Sequence, residues 1–160
     1  PFCSVPTDLD ALVDCIAAGE APTATLATAL DDDALAASPH VVKVVRGRNG
    51  DAMYFSRAAV PHIQDAAAAE PGGPRVGRLR HIGVYAFTRG TLAAIPSLPS
   101  SGLAETEGLE QLRFLENGIR MRVLDARGAP WGIETREDYD AFVARRQAAG
   151  EAGRADEGRP

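Results

Sequence analysis

The chain has 160 residues, which suits one domain or a large part of one, and 45% of them are hydrophobic, enough for a real core. Its formal net charge of −5 argues against a nucleic-acid-binding protein, which usually carries a clustered basic surface. No apolar run approaches the ~20 residues of a membrane span and no signal segment opens the chain, so we expect no membrane insertion and a cytoplasmic location. Cys3 and Cys15 are too few for a metal site or a disulfide framework.

A helix is predicted near the start of the chain, in TDLDALVDCIAAG. Apolar side chains recur there at the spacing that places them on one helical face. The residues of this stripe are Leu9, Leu12, Val13 and Ile16. Gly19 can then end the helix. We therefore expect the stripe to face a core.

Two strand-like runs, HVVKVVR and DAMYFSR, are separated by GRNG and predict a hairpin. Asn49 and Gly50 tolerate the positive φ that tight hairpin turns require. A further strand is predicted over residues 23–30, where apolar and polar side chains loosely alternate. Residues 58–78 are rich in glycine and proline and predict a long loop.

The second half of the chain predicts more strands alternating with helices. LRHIGVYAFTRG (residues 79–90) begins with a strand, and Thr88 can cap the short helix that follows. A helix is predicted over residues 104–117, closed by Gly118, before a strand in IRMRVLD, and a final helix begins at Thr135. Strands interspersed with helices, together with one hairpin, indicate an α/β or mixed sheet.

The strand LRHIGVYAF carries more polar side chains than a buried strand needs. Because side chains alternate along a strand, His81, Gly83, Tyr85 and Phe87 share one face. Such a face can be half-buried, with a hydrogen-bonded histidine and tyrosine, which is the commoner situation in proteins. It can also be a ligand site, in which polar groups surround a glycine that lets a ligand approach the backbone closely.

Three further groups have the chemistry of ligand sites. Arg57 ends the second strand of the hairpin; arginine binds carboxylates or phosphates bidentately, although a solvated edge charge is the simpler explanation. Glu107, Glu110 and Gln111 would share one helical face, which could hold sugar hydroxyls or simply face solvent. Glu134 precedes a predicted helix, where a carboxylate can bind Mg²⁺ or gain only from the helix dipole.

In this order, the four groups resemble a known family. The segments VVKVV, YFSRAAVP, LRHIGVYAFTRG, LEQLRFLENG and GIETREDYDAF together resemble the 3-deoxy-manno-octulosonate (Kdo) cytidylyltransferases, or CMP-Kdo synthetases. The likeness runs from Pro1 to about Val143, and Pro1 matches the proline of the family's Gly-Asp-Glu-Pro motif. It implies an α/β fold with the mixed sheet of nucleotide-diphospho-sugar transferases, incomplete at the N-terminus. It also implies that CTP activates Kdo as CMP-Kdo with release of pyrophosphate, for lipopolysaccharide biosynthesis.

The resemblance further implies roles for individual residues. Arg57 would bind the Kdo carboxylate, and Glu134 would hold Mg²⁺ in place of the family's usual aspartate. Four residues would position the sugar hydroxyls: His81, Tyr85, Glu110 and Gln111. Lys43 and Glu107 fall on family-like positions without an assigned role.

The family's CTP site lies largely upstream of the segment that Pro1 begins. We therefore expect residues 1–146 to form the C-terminal part of a cytidylyltransferase domain, residues 147–160 to be a disordered tail, and the isolated chain to be inactive. CTP and Kdo would be substrates, and a homodimer would form through the hairpin, whose valines leave both faces of one strand apolar. Two alternatives remain open: a cytidylyltransferase for another acidic sugar, such as a sialic-acid-like nonulosonate, and a non-catalytic dimerisation or sugar-binding domain of the same fold.

Overall fold

The computed structural model of the protein describes residues 6–63 and 77–127, together with three isolated helical residues, Arg136, Asp140 and Val143. The chain divides into two compact units, one of Val5–Ala129 and one of Pro1–Ser4 with Pro130–Pro160. All of the elements below lie in the first unit. No helix within these described ranges is long and apolar enough to cross a bilayer.

The first unit is built on one five-stranded sheet. Its strands are β1 (Thr23–Ala29), β2 (Lys43–Arg46), β3 (Ala52–Ser56), β4 (Leu79–Phe87) and β5 (Met121–Asp125). Its helices are α1 (Pro6–Ala17), α2 (Asp33–Ala37), α3 (Arg89–Ala94, followed by a 3₁₀ turn over Ile95–Ser97), α4 (Gly102–Glu107) and α5 (Leu112–Glu116). The strand order is β3-β2-β4-β1-β5; β1 and β5 are parallel, and the other pairs are antiparallel. The predicted α/β class with a mixed sheet is confirmed.

Side chains of the sheet alternate between two apolar cores. The first core consists of Ala27, Val44, Phe55, Leu109, Leu112, Phe114, Met121 and Val123. The second consists of Leu12, Cys15, Ala24, Leu26 and Ile82. Along β4, Tyr85 and Phe87 pack on the first core, whereas Val84 and Ala86 pack on the second. The predicted alternation of this strand is confirmed, and its polar face is the face of the first core.

Helix α1 buries a different stripe from the predicted one. Leu12 and Cys15 are buried, but Leu9 is 43% and Val13 62% exposed, so the prediction was wrong for these two residues. Asp8 is also buried, and its Oδ1 accepts a hydrogen bond from the backbone N–H of Arg127 at 2.9 Å. The inward side of the helix therefore carries Asp8, Leu12 and Cys15, and the Leu9–Val13 side faces outward.

The hairpin of β2 and β3 is confirmed, and its tip reaches the far edge of the sheet. Gly50 has a φ of +83°, a left-handed conformation that favours glycine, and a Cβ built there would lie 2.5 Å from Nη1 of Arg122, which would have to shift. Its carbonyl accepts a hydrogen bond from the N–H of Val123 in β5 at 2.9 Å. The neighbouring Asp51 pairs with Arg120 at 3.1 Å. The hairpin is therefore anchored over the first core.

The single helix predicted over residues 104–117 is in fact two short helices. Helix α4 ends at Glu107 because Gly108 adopts a left-handed conformation, with a φ of +63°. The chain then turns before α5 begins at Leu112. Leu109 and Leu112 both enter the first core, where they are 6% and 0% exposed. The break at Gly108 thus lets both leucines reach the core.

Candidate functional site

Strand β4 places His81 and Tyr85 side by side, with their ring centroids 5.5 Å apart. His81 also lies edge-on to Phe55 at 4.9 Å, and its Nε2 is 3.0 Å from Oγ1 of Thr25. Burial lowers the pKa of His81 to about 4, so the imidazole is neutral at pH 7. Burial raises the pKa of Tyr85, so its phenol stays protonated. Both side chains are uncharged hydrogen-bonding groups, which suit hydroxyls better than ions.

A β-bulge lies between His81 and Tyr85. Thr25 of β1 is opposite Tyr85, but the next residue, Leu26, is opposite Ile82, so two residues of β4 are left unpaired. Because two residues are added, the alternation is preserved and the two rings remain on one face. Gly83 lies within the bulge, is exposed, and has no atom within 4 Å of where a Cβ would be.

Backbone carbonyls hold the guanidinium of Arg57 at the end of β3. Nε donates to the carbonyl of Glu107 at 2.8 Å, Nη1 to that of Pro39 at 2.8 Å, and Nη2 to that of Gly108 at 3.4 Å. A guanidinium has five N–H groups, and three of those on Arg57 have these acceptors within the described part of the chain. Among the described residues, the other two N–H groups have no acceptor, and two is the number that a bidentate carboxylate needs.

Lys43 is the single lysine of the chain, and it is fully buried. Its Nζ donates to three carbonyl oxygens: those of Ser38 at 2.9 Å, Val41 at 2.6 Å and Arg57 at 2.5 Å. Burial lowers the pKa of this ammonium, against the opposing effect of the nearby Glu107 carboxylate. Three donors meet three acceptors, so Lys43 fastens the loop before β2 to the end of β3. No role was assigned to Lys43 from the sequence, although a cation inside VVKVV is a sign of a buried, partnered charge.

Glu107 also holds the backbone at Arg57. Its Oε1 accepts a hydrogen bond from the Ser56 hydroxyl at 2.6 Å, and its Oε2 accepts one from the backbone N–H of Arg57 at 2.9 Å. Burial alone would raise the pKa of this carboxyl, but the hydrogen bonds from Arg57, Ser56 and Tyr54, and the charge of Arg57, outweigh burial and lower it. Glu107 is therefore ionised at neutral pH and directed at the end of β3.

The predicted helical face of Glu107, Glu110 and Gln111 does not exist, because α4 ends at Glu107. Beyond Gly108 the chain is a turn, in which Glu110 is exposed and Gln111 is buried. Glu110 lies at the rim of an open cavity of about 530 Å³ formed by α4, the turn and α5. The cavity is lined by Ser100, Ser101, Ala104, Glu105, Gly108, Leu109, Glu110 and Arg113.

The structure links the predicted sugar-acid residues through shared neighbours. Arg57 binds the carbonyls of Glu107 and Gly108, which lead directly into the turn that carries Glu110 and Gln111. His81 contacts Phe55, two residues before Arg57 on β3. Tyr85 packs on the first core together with Leu109 of the turn. Arg57 is thus joined to the segment that leads into Glu110 and Gln111, while His81 and Tyr85 lie together on β4, where His81 contacts Phe55 of β3.

The metal ligand predicted from the sequence, Glu134, lies outside the described residues. Within the described ranges, no three His, Cys, Asp or Glu side chains come together in a way that could hold a metal ion. Binding of Mg²⁺ by Glu134 therefore stays a prediction.

The chain matches the cytidylyltransferase family over residues 1–122. The 3-deoxy-manno-octulosonate cytidylyltransferase of Nitratidesulfovibrio vulgaris is 46% identical over 138 residues, which cover 86% of this chain and 53% of the relative. That of Acidobacterium capsulatum is 43% identical over 117 residues, which cover 73% of this chain and 45% of the relative. The chain thus spans about half the length of the curated relatives it matches.

A solved structure of CMP:2-keto-3-deoxy-manno-octonic acid synthetase complexed with CTP has the same fold. The two superpose with a TM-score of 0.74 at 34% sequence identity, over 88% of this chain and 57% of that one. The resemblance inferred from the sequence motifs is confirmed. This chain belongs to the cytidylyltransferase family, within which the 3-deoxy-manno-octulosonate cytidylyltransferases are its relatives.

Proposed function

We propose that this chain forms the sugar-acid-binding part of a CMP-Kdo synthetase, which joins Kdo to CTP and releases pyrophosphate. The observation that carries the proposal is the 46% identity to a curated 3-deoxy-manno-octulosonate cytidylyltransferase over 86% of the chain. The site chemistry agrees with it. A guanidinium with two available N–H groups, beside a neutral imidazole and a neutral phenol, suits a ligand with one carboxylate and several hydroxyls.

Each candidate residue has a role that its surroundings allow. Arg57 binds the carboxylate of the sugar acid through the N–H groups that its carbonyl partners leave available. His81 and Tyr85 exchange hydrogen bonds with hydroxyls, and both stay uncharged at pH 7. Glu110, exposed in the turn, accepts hydrogen bonds from hydroxyls, and the amide of Gln111 can both donate and accept.

In the proposed reaction, the anomeric hydroxyl of Kdo attacks the α-phosphorus of CTP and loses its proton to water. The new oxygen–phosphorus bond forms as the bond from the α-phosphorus to the bridging oxygen of pyrophosphate breaks, and pyrophosphate leaves. The described residues contribute by binding and orientation, which can supply a large part of such a rate enhancement. Mg²⁺, when bound, offsets the charge of the triphosphate, with Glu134 proposed as one ligand. Because CTP is the co-substrate, we place the reaction in the cytoplasm.

We also propose that two copies associate through the hairpin. β3 is an edge strand of the sheet, and its Met53 is 66% exposed. A strand edge with an exposed apolar side chain invites pairing unless it is covered. A second copy of the hairpin supplies such cover.

Pyrophosphate release from CTP tests the proposed function, with Kdo, a sialic acid or no sugar as the acceptor. We expect background release from the 160-residue chain alone, because the resemblance places the triphosphate-binding loop outside it. A chimera can be made by fusing the part of the Nitratidesulfovibrio vulgaris enzyme that has no match here to the N-terminus of this chain. This chimera should release pyrophosphate only with Kdo, and mass spectrometry should identify the product as CMP-Kdo. Preference for the sialic acid would favour the alternative sugar, and a folded but inactive chimera would contradict the proposal.

A further inference from the structure

We propose that Thr25 is a positioning residue that holds His81 in a single neutral tautomer, with the proton on Nε2 and an accepting lone pair on Nδ1. The proposal rests on the proposed function, because the group that Nδ1 receives is taken to be a hydroxyl of the sugar acid. Thr25 of β1 thereby becomes part of the site, and the ligand hydroxyl is the donor in its hydrogen bond with His81.

The Thr25 hydroxyl lies within hydrogen-bond distance of three groups. Thr25 is fully buried, and its Oγ1 lies 2.8 Å from the carbonyl oxygen of Val84, 3.2 Å from that of Ile82 and 3.0 Å from Nε2 of His81. A carbonyl can only accept a hydrogen bond, and a hydroxyl has a single hydrogen to donate. That hydrogen points to the carbonyls, of which Val84 is the nearer. The oxygen of Thr25 must therefore accept from His81, so Nε2 carries the hydrogen.

The bulge in β4 brings the two carbonyls to this one hydroxyl. Thr25 is the residue at which the register of β1 against β4 shifts, and the unpaired residues Gly83 and Val84 lie opposite that shift. The carbonyl of Val84, in the bulge, and that of Ile82, beside it, both lie within hydrogen-bond distance of the hydroxyl. Bulges commonly re-aim side chains next to functional sites. Here the side chain that is aimed is His81.

The tautomer decides what His81 can bind. Within the described part of the chain, Nδ1 has no hydrogen-bond partner, and in the Nε2–H tautomer it is an acceptor. The low pKa of the ring, about 4, keeps it neutral at pH 7. An accepting nitrogen binds a hydroxyl, which donates, and disfavours a carboxylate or phosphate oxygen, which cannot. His81 therefore selects a hydroxyl, while Arg57 selects the carboxylate.

Nuclear magnetic resonance of the 160-residue chain tests the proposal directly. Long-range ¹H–¹⁵N correlation spectra distinguish Nε2–H from Nδ1–H in a neutral imidazole, and the exposed His40 and His62 provide internal references. The variants are Thr25→Val, which removes the hydroxyl at constant size, and Thr25→Ser, which retains it. Thr23→Val is the matched control, because Thr23 is equally buried on the same strand but donates to the carbonyl of Arg120. Calorimetric titration with Kdo is run on the same samples.

We expect the parent, Thr25→Ser and Thr23→Val to show only the Nε2–H form of His81. Thr25→Val should show both tautomers and bind Kdo about tenfold more weakly, the effect of one lost hydrogen bond. An Nδ1–H form in the parent, or an unchanged tautomer in Thr25→Val, would overturn the proposal. So would a shifted tautomer with unchanged Kdo affinity. If the parent itself does not bind Kdo, the proposed function fails, while the spectra still decide how Thr25 and His81 are paired.

Discussion

The ammonium of Lys43 donates a hydrogen bond to the backbone carbonyl of Arg57 at 2.5 Å, and thereby ties the single lysine of the chain to the proposed carboxylate-binding residue. Glu107 accepts a hydrogen bond from the backbone N–H of the same residue at 2.9 Å. One buried cation and one partly buried anion therefore clamp both polar groups of the Arg57 backbone. The guanidinium is presented from a segment that has little freedom to move.

Replacement of Lys43 by methionine should destabilise the protein markedly. The variant keeps the length of the side chain but leaves the carbonyls of Ser38, Val41 and Arg57 without their donor. We expect the free energy of unfolding to fall by about 2–3 kcal/mol, since buried polar groups without partners are costly. Urea unfolding followed by circular dichroism measures this. The control Arg48→Met, at an exposed position in the hairpin turn, should change it by less than about 0.5 kcal/mol. Equal stabilities of the two variants would rule out the clamp.

A pair of glycine-to-alanine substitutions tests the break between α4 and α5. Gly108 has a φ of +63°, so Gly108→Ala should lower the free energy of unfolding by about 1–2 kcal/mol. Gly102, in the first turn of α4, has no positive φ and no atom within 4 Å of a Cβ, so Gly102→Ala should leave stability unchanged or raise it by up to about 1 kcal/mol. Thermal unfolding of both variants gives the comparison. A neutral Gly108→Ala would mean that the predicted continuous helix forms in solution.

The structural features that could be predicted from the sequence are those set by residues close together in the chain. The hairpin was predictable because turn residues and alternating strands are adjacent in the chain. The alternation of β4 was predictable too, since the bulge adds two residues and preserves the period. The break at Gly108 was not, because a glycine inside a helical pattern costs only about 1 kcal/mol. Long-range contacts decide it, above all those between Glu107 and Arg57.

In the candidate site, too, local features were predictable from the sequence and long-range contacts were not. Its residue types were recognised from motifs, but their partners come from distant parts of the chain. Thr25 and His81 are 56 residues apart, and Lys43 binds a carbonyl 14 residues away. The inward side of α1 likewise includes a long-range contact, since buried Asp8 accepts a hydrogen bond from the backbone N–H of Arg127. The periodicity of apolar residues does not predict such long-range contacts.

The stability of the protein should fall between pH 7 and pH 5 because of His81. Its pKa is about 4 when folded and about 6.5 when unfolded, so in this range the unfolded chain binds a proton that the folded chain does not. Unfolding is favoured accordingly, by about 2 kcal/mol at pH 5 relative to pH 7. Urea unfolding at both pH values should show this loss in the parent, and His81→Gln should lack it. The carboxylates titrate in both proteins and cancel in the comparison; identical pH dependence would refute the burial of a neutral His81.

Substitution at the edge of the sheet tests the proposed dimer. Light scattering at micromolar concentration should give twice the mass of one chain for the parent. Met53→Lys places a charge on the exposed side of β3 and should give the mass of one chain, because a lysine at a strand edge opposes pairing. Leu103→Lys, at another exposed apolar position on α4, is the control and should remain dimeric. A monomeric parent at this concentration would contradict the proposal.

Binding of Kdo to the chain, measured by isothermal titration calorimetry in the parent and in Arg57→Lys, is the most direct test of the central claim. Lysine keeps the charge but cannot bind a carboxylate bidentately, and it loses the carbonyl contacts that hold the guanidinium. We expect the Kd for Kdo to rise on the order of 10²-fold, the equivalent of two charge-assisted hydrogen bonds. Arg89→Lys, at an exposed position on α3, should leave the Kd unchanged. An Arg57→Lys protein that folds and binds Kdo as tightly as the parent would show that the sugar acid is not held where this account places it.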